Sequence, residues 1–265
     1  MIISDHYRFA FVHIPKCAGI TVRNKLKRYD DLRGEFENRV ENHPELGMLD
    51  YVHIPLSTLK EYFSDEYRKV ESYRAFCVVR DPYSRFGSSL SQRIKMYCGG
   101  LQKISRKELA KELDKTIEFL TREASLEQLP AQYIHFQRQV SYIYVEGRQV
   151  VDQVFLVERL DKLYDYIEYL SGEPVAKSDE RLNQALAYKN QVLKNVGEVI
   201  RPIARMAIPG KLKGPAHKVL DGIFYDSSDK MFKEILSSSY VEDFVAEYYS
   251  EDIVLYDSLK LGVRL

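Results

Sequence analysis

Two short apolar runs, 8–14 (RFAFVHI) and 75–79 (AFCVV), each end at a turn, and each turn leads into a helical stripe. A run without polar alternation must be covered on both faces, as inside a parallel sheet under helices. After the first run, Pro15 breaks the strand, and Val22, Leu26 and Tyr29 recur at i, i+4 and i+7 beyond Gly19. After the second, Asp81 suits a helix N-cap and Pro82 the first helical position. Phe86, Leu90, Ile94 and Tyr97 then mark one buried face up to Gly99-Gly100, which ends the helix. Two strand-turn-helix units predict an α/β fold with a parallel sheet.

Further helices are predicted over 56–70, 105–124, 160–172, 180–200 and 228–249, the last giving a mostly helical C-terminal part. Segments 139–145 and 150–157, flanking Glu146-Gly147-Arg148, read as a hairpin or strand pair. Residues 31–50 read as irregular, and 201–218 as a loop carrying Pro202, Pro209, Gly210, Gly214 and Pro215. No repeat or linker divides the chain, so one domain over 1–265 is expected. An apolar content of 45% excludes a disordered chain. No stretch of 18 residues is free of charged side chains, which excludes a membrane-spanning helix.

Lys and Arg total 39 and so do Asp and Glu, so a dedicated nucleic-acid binder is not expected. Cations still cluster over 80–107 and 201–218, which suits a small or local anionic ligand. The odd count of 3 cysteines, without metal-ligand spacing, reads as reduced thiols. The first residues lack the basic and apolar regions of a signal peptide, so a soluble cytoplasmic protein is expected.

The turn 13–21 (HIPKCAGIT) joins a strand to a helix start, whose free N–H groups and dipole favour an anion. Ala18 and Gly19 admit a phosphate, Lys16 adds a cation and Thr21 a hydroxyl. A nucleoside-triphosphate loop would place Lys after the second Gly, and here Lys16 precedes Gly19. In the turn 79–88 (VRDPYSRFGS), Arg80 stands at the carboxyl end of a strand, where open α/β sheets bind ligands. Its guanidinium suits a phosphate. Ser88 lies i+3 from Arg85, so both are expected on one face away from the apolar stripe. A Mg²⁺-dependent phosphoryl transferase would want a carboxylate at this strand end instead.

Residues 14–19 (IPKCAG) resemble the 5′-phosphosulfate loop I-P-K-x-A-G of the sulfotransferases. Residues 79–85 (VRDPYSR) with Ser88 resemble their 3′-phosphate motif V-R-D-P-x-x-R-x-x-S. Weaker similarity lies in 129–134 (LPAQYI), 154–160 (VFLVERL), Leu182-Asn183 and 248–256. The chain most resembles the carbohydrate sulfotransferases, including the heparan sulfate 2-O-sulfotransferase branch. The resemblance implies a P-loop-like sheet flanked by helices and the donor 3′-phosphoadenosine 5′-phosphosulfate (PAPS), released as adenosine 3′,5′-bisphosphate. Carried over by position, Pro15, Lys16, Cys17, Ala18, Gly19, Ile20, Thr21 and Val22 would hold the 5′ end, and Arg80 and Ser88 the 3′-phosphate. Members often carry Thr where this chain has Cys17 and Ile20.

The implied reaction is direct in-line sulfuryl transfer to an acceptor hydroxyl, on a glycan or glycolipid, with no metal required. Lys16 would stabilise charge on the leaving oxygen. His53 lies between the two motifs, in a segment resembling the one that holds the catalytic His of the 2-O-sulfotransferase branch, and is the candidate base. Glu45, Glu61 or another carboxylate is the alternative, and His13 reads as a packed residue. The segment 201–218 is expected to border the acceptor site or to touch an anionic surface such as a membrane. A P-loop-like kinase and a non-catalytic anion-binding module are the rival functions.

Overall fold

The computed structural model describes residues 1–37, 39–175 and 227–262. Strand β1 (Ile2–Ser4) pairs antiparallel with β2 (Phe9–Val12), which leads into helix α1 (Gly19–Leu26). A small hairpin, β3 (Val40–His43) with β4 (Gly47–Asp50), follows, then α2 (Leu56–Tyr62) and α3 (Ser64–Ser72). The second unit is β5 (Arg74–Val79) and α4 (Pro82–Tyr97), followed by α5 (Arg106–Arg122). Next come a hairpin of β6 (Tyr144–Val145) and β7 (Arg148–Gln149), strand β8 (Gln153–Leu156) and α6 (Leu160–Ser171). Helices α7 (Ser227–Leu236), α8 (Ser239–Tyr248) and α9 (Ser250–Lys260) follow.

The central sheet has the order β1-β2-β5-β8, with β2, β5 and β8 parallel. This is a mixed α/β fold with helices flanking a sheet that contains parallel strands. The two apolar runs behave as their composition dictates. Residues 9–12 and 75–79 are at most 1% exposed, so both faces of the sheet are covered there. Burial of each large side chain contributes about 1.5–3 kcal/mol. A second apolar cluster forms where Phe86, Leu90 and Ile94 of α4 meet Leu109, Leu113 and Leu120 of α5, with Phe244 and Val245 of α8. Gly87 permits this packing: a Cβ there would stand 2.7 Å from Leu236 Cδ1 of α7.

Capping follows the sequence. Asp81 accepts the Ser84 N–H at 2.8 Å, Pro82 opens α4, and Ser105 and Glu108 form a reciprocal capping box on α5. Five expectations change, the first being that the segment 31–50, read as irregular, contains the β3–β4 hairpin. The helix over 56–70 breaks at Phe63, whose ring packs against Phe36 and Tyr51. The helix over 228–249 is split between α7 and α8. Tyr97 is 53% exposed, because α4 outruns the core at its last turn. The strand pair 139–145 with 150–157 shrinks to β6–β7, since Glu146 and Gly147 both adopt positive φ and close a two-residue turn. Residues 153–156 instead join β5, where Asp152 accepts the Ala75 N–H at 2.8 Å. The expectations for 180–200 and 201–218, including Leu182-Asn183, lie outside the described residues.

Candidate active site

The two turns singled out in the sequence follow the carboxyl ends of adjacent parallel strands, β2 and β5. They touch: an Arg80 guanidinium N–H reaches the Lys16 carbonyl at 3.5 Å. The first turn holds Lys16 and Ala18 at φ of 65° and 59°, a left-handed backbone that costs a non-glycine residue about 1–3 kcal/mol. Strain of this kind persists only where surroundings enforce it. Here the enforcing groups are Gln139 and His13. Gln139 is fully buried; its side-chain oxygen accepts the Arg80 N–H at 2.9 Å and the Cys17 thiol at 3.2 Å, and its amide donates to the Arg80 carbonyl at 2.9 Å. One side chain thus staples both turns. His13 fills the space beside Gly19, where a Cβ would lie 1.7 Å from its Nε2. Glycine is needed there for the histidine ring, not only for a ligand.

Lys16 is half-buried, and burial, with Arg80 nearby, lowers its pKa below the usual lysine value. Its Nζ donates to Gln92 at 3.3 Å. Arg80 donates from Nε to Ser84 Oγ at 3.0 Å, and Ser88 lies one turn further along that face of α4. Among the described residues neither Lys16 nor Arg80 meets a carboxylate. The N–H groups of Gly19, Ile20 and Thr21, in the first turn of α1, have no intrahelical acceptor. These cations and N–H groups suit an anionic group such as a phosphate.

Other residues of the expected 5′ site contribute differently. Cys17 is buried and its thiol is pushed up to about 12 by burial, so only its backbone can face a ligand. Pro15 is buried and its carbonyl accepts the Cys17 thiol. Val22 is a core residue whose N–H already donates to the Ala18 carbonyl, which removes it from the contact set. Ile20 is 54% exposed, an apolar side chain on the first turn of α1.

Two cations of the basic zone over 80–107 are withdrawn into the core, while Lys95, Lys103, Arg106 and Lys107 stay exposed. Arg85 was expected on an exposed face with Ser88; it is fully buried, donates to the carbonyls of His135 and Gln137, and stands 3.6 Å from Asp252. Arg93 is buried against Glu112 at 2.6 Å and over the Tyr133 ring. Glu112 lies 19 residues from Arg93, just beyond the counted window, and Asp252 stands on α9, near the other end of the described chain from Arg85, so charge counting within 80–107 could not see either partner.

Beside the turns stand three imidazoles. His13 and His53 are 4.7 Å apart between ring centres, and His53 and His135 are 5.3 Å apart. His53 Nδ1 lies 3.0 Å from Asp50 Oδ2, while Asp50 Oδ1 accepts the Val52 N–H. Burial would raise Asp50, but the hydrogen bond from His53, with the nearby histidine charges, outweighs it and holds the carboxyl below its ordinary value. Burial lowers His53 despite the opposing pull of Asp50. Burial and His53 hold His13 well below the imidazole range, and burial, His53 and Lys16 press His135 down to about 3. Glu45 and Glu61, the alternative bases, are exposed, in the β3–β4 turn and on α2. His135 and Gln139 escaped the sequence reading. The only available signal was their position just beyond the weak 129–134 similarity.

This arrangement predicts acid sensitivity. All three folded pKa values lie below the unfolded value of ~6.5. Their neutral forms therefore stabilise the fold fully above that pH, and the contribution is lost as pH falls toward the folded values. For His135 alone the loss reaches at most ~2 kcal/mol by pH 5. Melting temperature should decline from about pH 6.5 downward, and His135→Gln should flatten the decline. A melting temperature unchanged from pH 7 to 5 would contradict the buried neutral cluster.

The model of a family described as "Sulfotransferase family" matches residues 1–257. No curated protein and no solved structure matches the chain.

Proposed function

The chain belongs to the sulfotransferase family, and on that premise we propose that it transfers the sulfuryl group of PAPS to an acceptor hydroxyl of a glycan or glycolipid. The observation that carries this reading is the pair of cations, Lys16 and Arg80, that follow the ends of neighbouring parallel strands and meet no carboxylate among the described residues. When bound, the donor supplies an activated sulfuryl group on a good leaving phosphate. The remainder is positioning and charge stabilisation. In this reading Lys16 and the first-turn N–H groups of α1 hold the 5′ end, and Arg80 and Ser88 hold the 3′-phosphate. Lys16 Nζ leaves Gln92 to meet charge developing on the departing oxygen. His53 accepts the acceptor's proton at Nε2, because Nδ1–H is directed at Asp50. His135 lines the same space. None of these roles requires a metal.

We take the chain to act as one domain in the cytoplasm, which its free cysteines suit. No helix among the described residues is long and apolar enough to cross a membrane. The segment 201–218 is our candidate for acceptor or membrane-surface contact.

Thermal shift with three ligands tests the donor class. Stabilisation by PAPS and adenosine 3′,5′-bisphosphate but not by ATP–Mg²⁺ is expected. Response to ATP–Mg²⁺ alone would favour a kinase, and response to none an anion-binding module. Mass spectrometry after incubation with PAPS and a glycan panel then identifies the acceptor. Arg80→Ala should weaken adenosine 3′,5′-bisphosphate binding by roughly 10–150-fold, the loss of ~1.5–3 kcal/mol from a charge-assisted hydrogen bond. Calorimetry showing unchanged affinity would remove the 3′-phosphate role. Lys16→Ala should slow single-turnover transfer more than it weakens donor binding, since its charge matters most as the leaving group forms. Equal losses in both would make Lys16 a binding residue only.

A further inference from the structure

Asp50 at the end of β4, His53 in the helical turn after it, and His135 in the turn Ile134–Phe136 each offer a ligand atom, all within 4.8 Å of one another. We propose that these three side chains bind a divalent transition metal ion of the zinc class, and that the bound ion silences the site for sulfuryl transfer. Binding stands on geometry alone, whereas silencing rests on the reading of His53 as the base.

Two imidazole nitrogens and one carboxylate oxygen suit zinc, cobalt or nickel, whereas magnesium and calcium prefer oxygen throughout. With bonds of about 2.0–2.2 Å, ligand atoms around one such ion stand roughly 3.0–3.6 Å apart. Asp50 Oδ2 and His53 Nδ1 already stand 3.0 Å apart. Outer contacts hold each ligand, as metal sites require. Val52 N–H donates to Asp50 Oδ1 at 3.1 Å, and Tyr142 Oη donates to the His53 carbonyl at 3.1 Å. The His135 carbonyl is gripped by Ser89 Oγ at 2.7 Å and by Arg85 at 3.3 Å. All three ligands are half-buried, which leaves coordination positions open to water. Neutral imidazoles and an ionised carboxylate are the ligand-competent forms; burial favours the first at His53 and His135, and the hydrogen bond from His53 favours the second at Asp50. The nearby charge of Lys16 opposes a cation, but its Nζ is turned to Gln92.

Silencing follows from the tautomer. With Nδ1–H directed at Asp50, the lone pair of His53 lies on Nε2. An ion on Nε2 occupies that lone pair. An ion on Nδ1 selects the tautomer with hydrogen on Nε2. Either way the ring can accept no proton from the acceptor hydroxyl.

The test uses the full chain in chelator-treated buffer, titrated with Co²⁺ and followed by visible absorption, then with Zn²⁺ as competitor. One ion per chain is expected, with a raised melting temperature. His135→Ala and Asp50→Ala should each weaken binding by roughly 100-fold, and His43→Ala, on β3, should not. Melting curves without metal establish that each variant is folded. Absence of saturable binding, or binding that survives His135→Ala but not His43→Ala, overturns the site. Zn²⁺ should stop transfer and a chelator should restore it; transfer that continues at saturating Zn²⁺ overturns the silencing. Activity of His53→Ala in chelated buffer would instead refute the base, leaving metal binding intact.

Discussion

Replacing His53 by alanine should lower sulfuryl transfer by ~10²–10⁴-fold, the usual worth of a positioned proton acceptor, while adenosine 3′,5′-bisphosphate binding is retained. An alcohol must lose its proton as the oxygen–sulfur bond forms. The 3.0 Å contact of Nδ1 with Asp50 orients the ring and leaves Nε2 to accept. Burial keeps the ring neutral, so the acid limb of the rate profile should fall below the free-imidazole range near pH ~6.5. Asp50→Asn should also slow transfer, because an amide can present its N–H to Nδ1 and select the wrong tautomer. Near-wild-type transfer by His53→Ala between pH 6 and 8 would hand the proton to a carboxylate or to the acceptor itself.

The largest expected loss of stability is at the buried pair Arg85–Asp252. Both side chains are fully buried, 3.6 Å apart. Asp252 also accepts the N–H groups of Gln139 and Val140 at 2.9 and 3.0 Å. Removing one partner leaves the other charged and unpaired in the core, which costs ~3–5 kcal/mol. Asp252→Ala should therefore lower the melting temperature by roughly 10 °C. The double variant Arg85→Met/Asp252→Leu should lose much less than the sum of the two single losses, since no orphan charge remains. A strictly additive double variant would show that the two side chains act independently. Because Asp252 holds the backbone of Gln139, Asp252→Ala should also weaken donor binding at temperatures where it stays folded.

The sequence carried the strands that frame the site and missed the groups that brace it. β2 and β5 were legible because a strand covered on both faces needs an unbroken apolar run. β1 was too short for a period, and Val40, Glu41 and Asn42 of β3 are exposed, so no alternation marks them. Lys16, Arg80 and His53 were legible as charge and imidazole beside turns. Gln139 was not, because an amide has no sequence periodicity and its partners lie 59 and 122 residues away. Arg85 was misread for the same reason: its acid partner is on α9, at the other end of the chain.

The staple formed by Gln139 makes the two turns a single two-armed grip. On the proposed assignment, a donor carrying both a 5′-phosphosulfate and a 3′-phosphate would engage the second arm intramolecularly, at about the millimolar effective concentration of short tethers. The two arms then need not be individually strong. On the same assignment, a nucleotide with one phosphate would use one arm and forfeit this advantage, so discrimination against mononucleotides would come from the spacing of the arms. Loosening that spacing would erode selectivity before it eroded the chemistry.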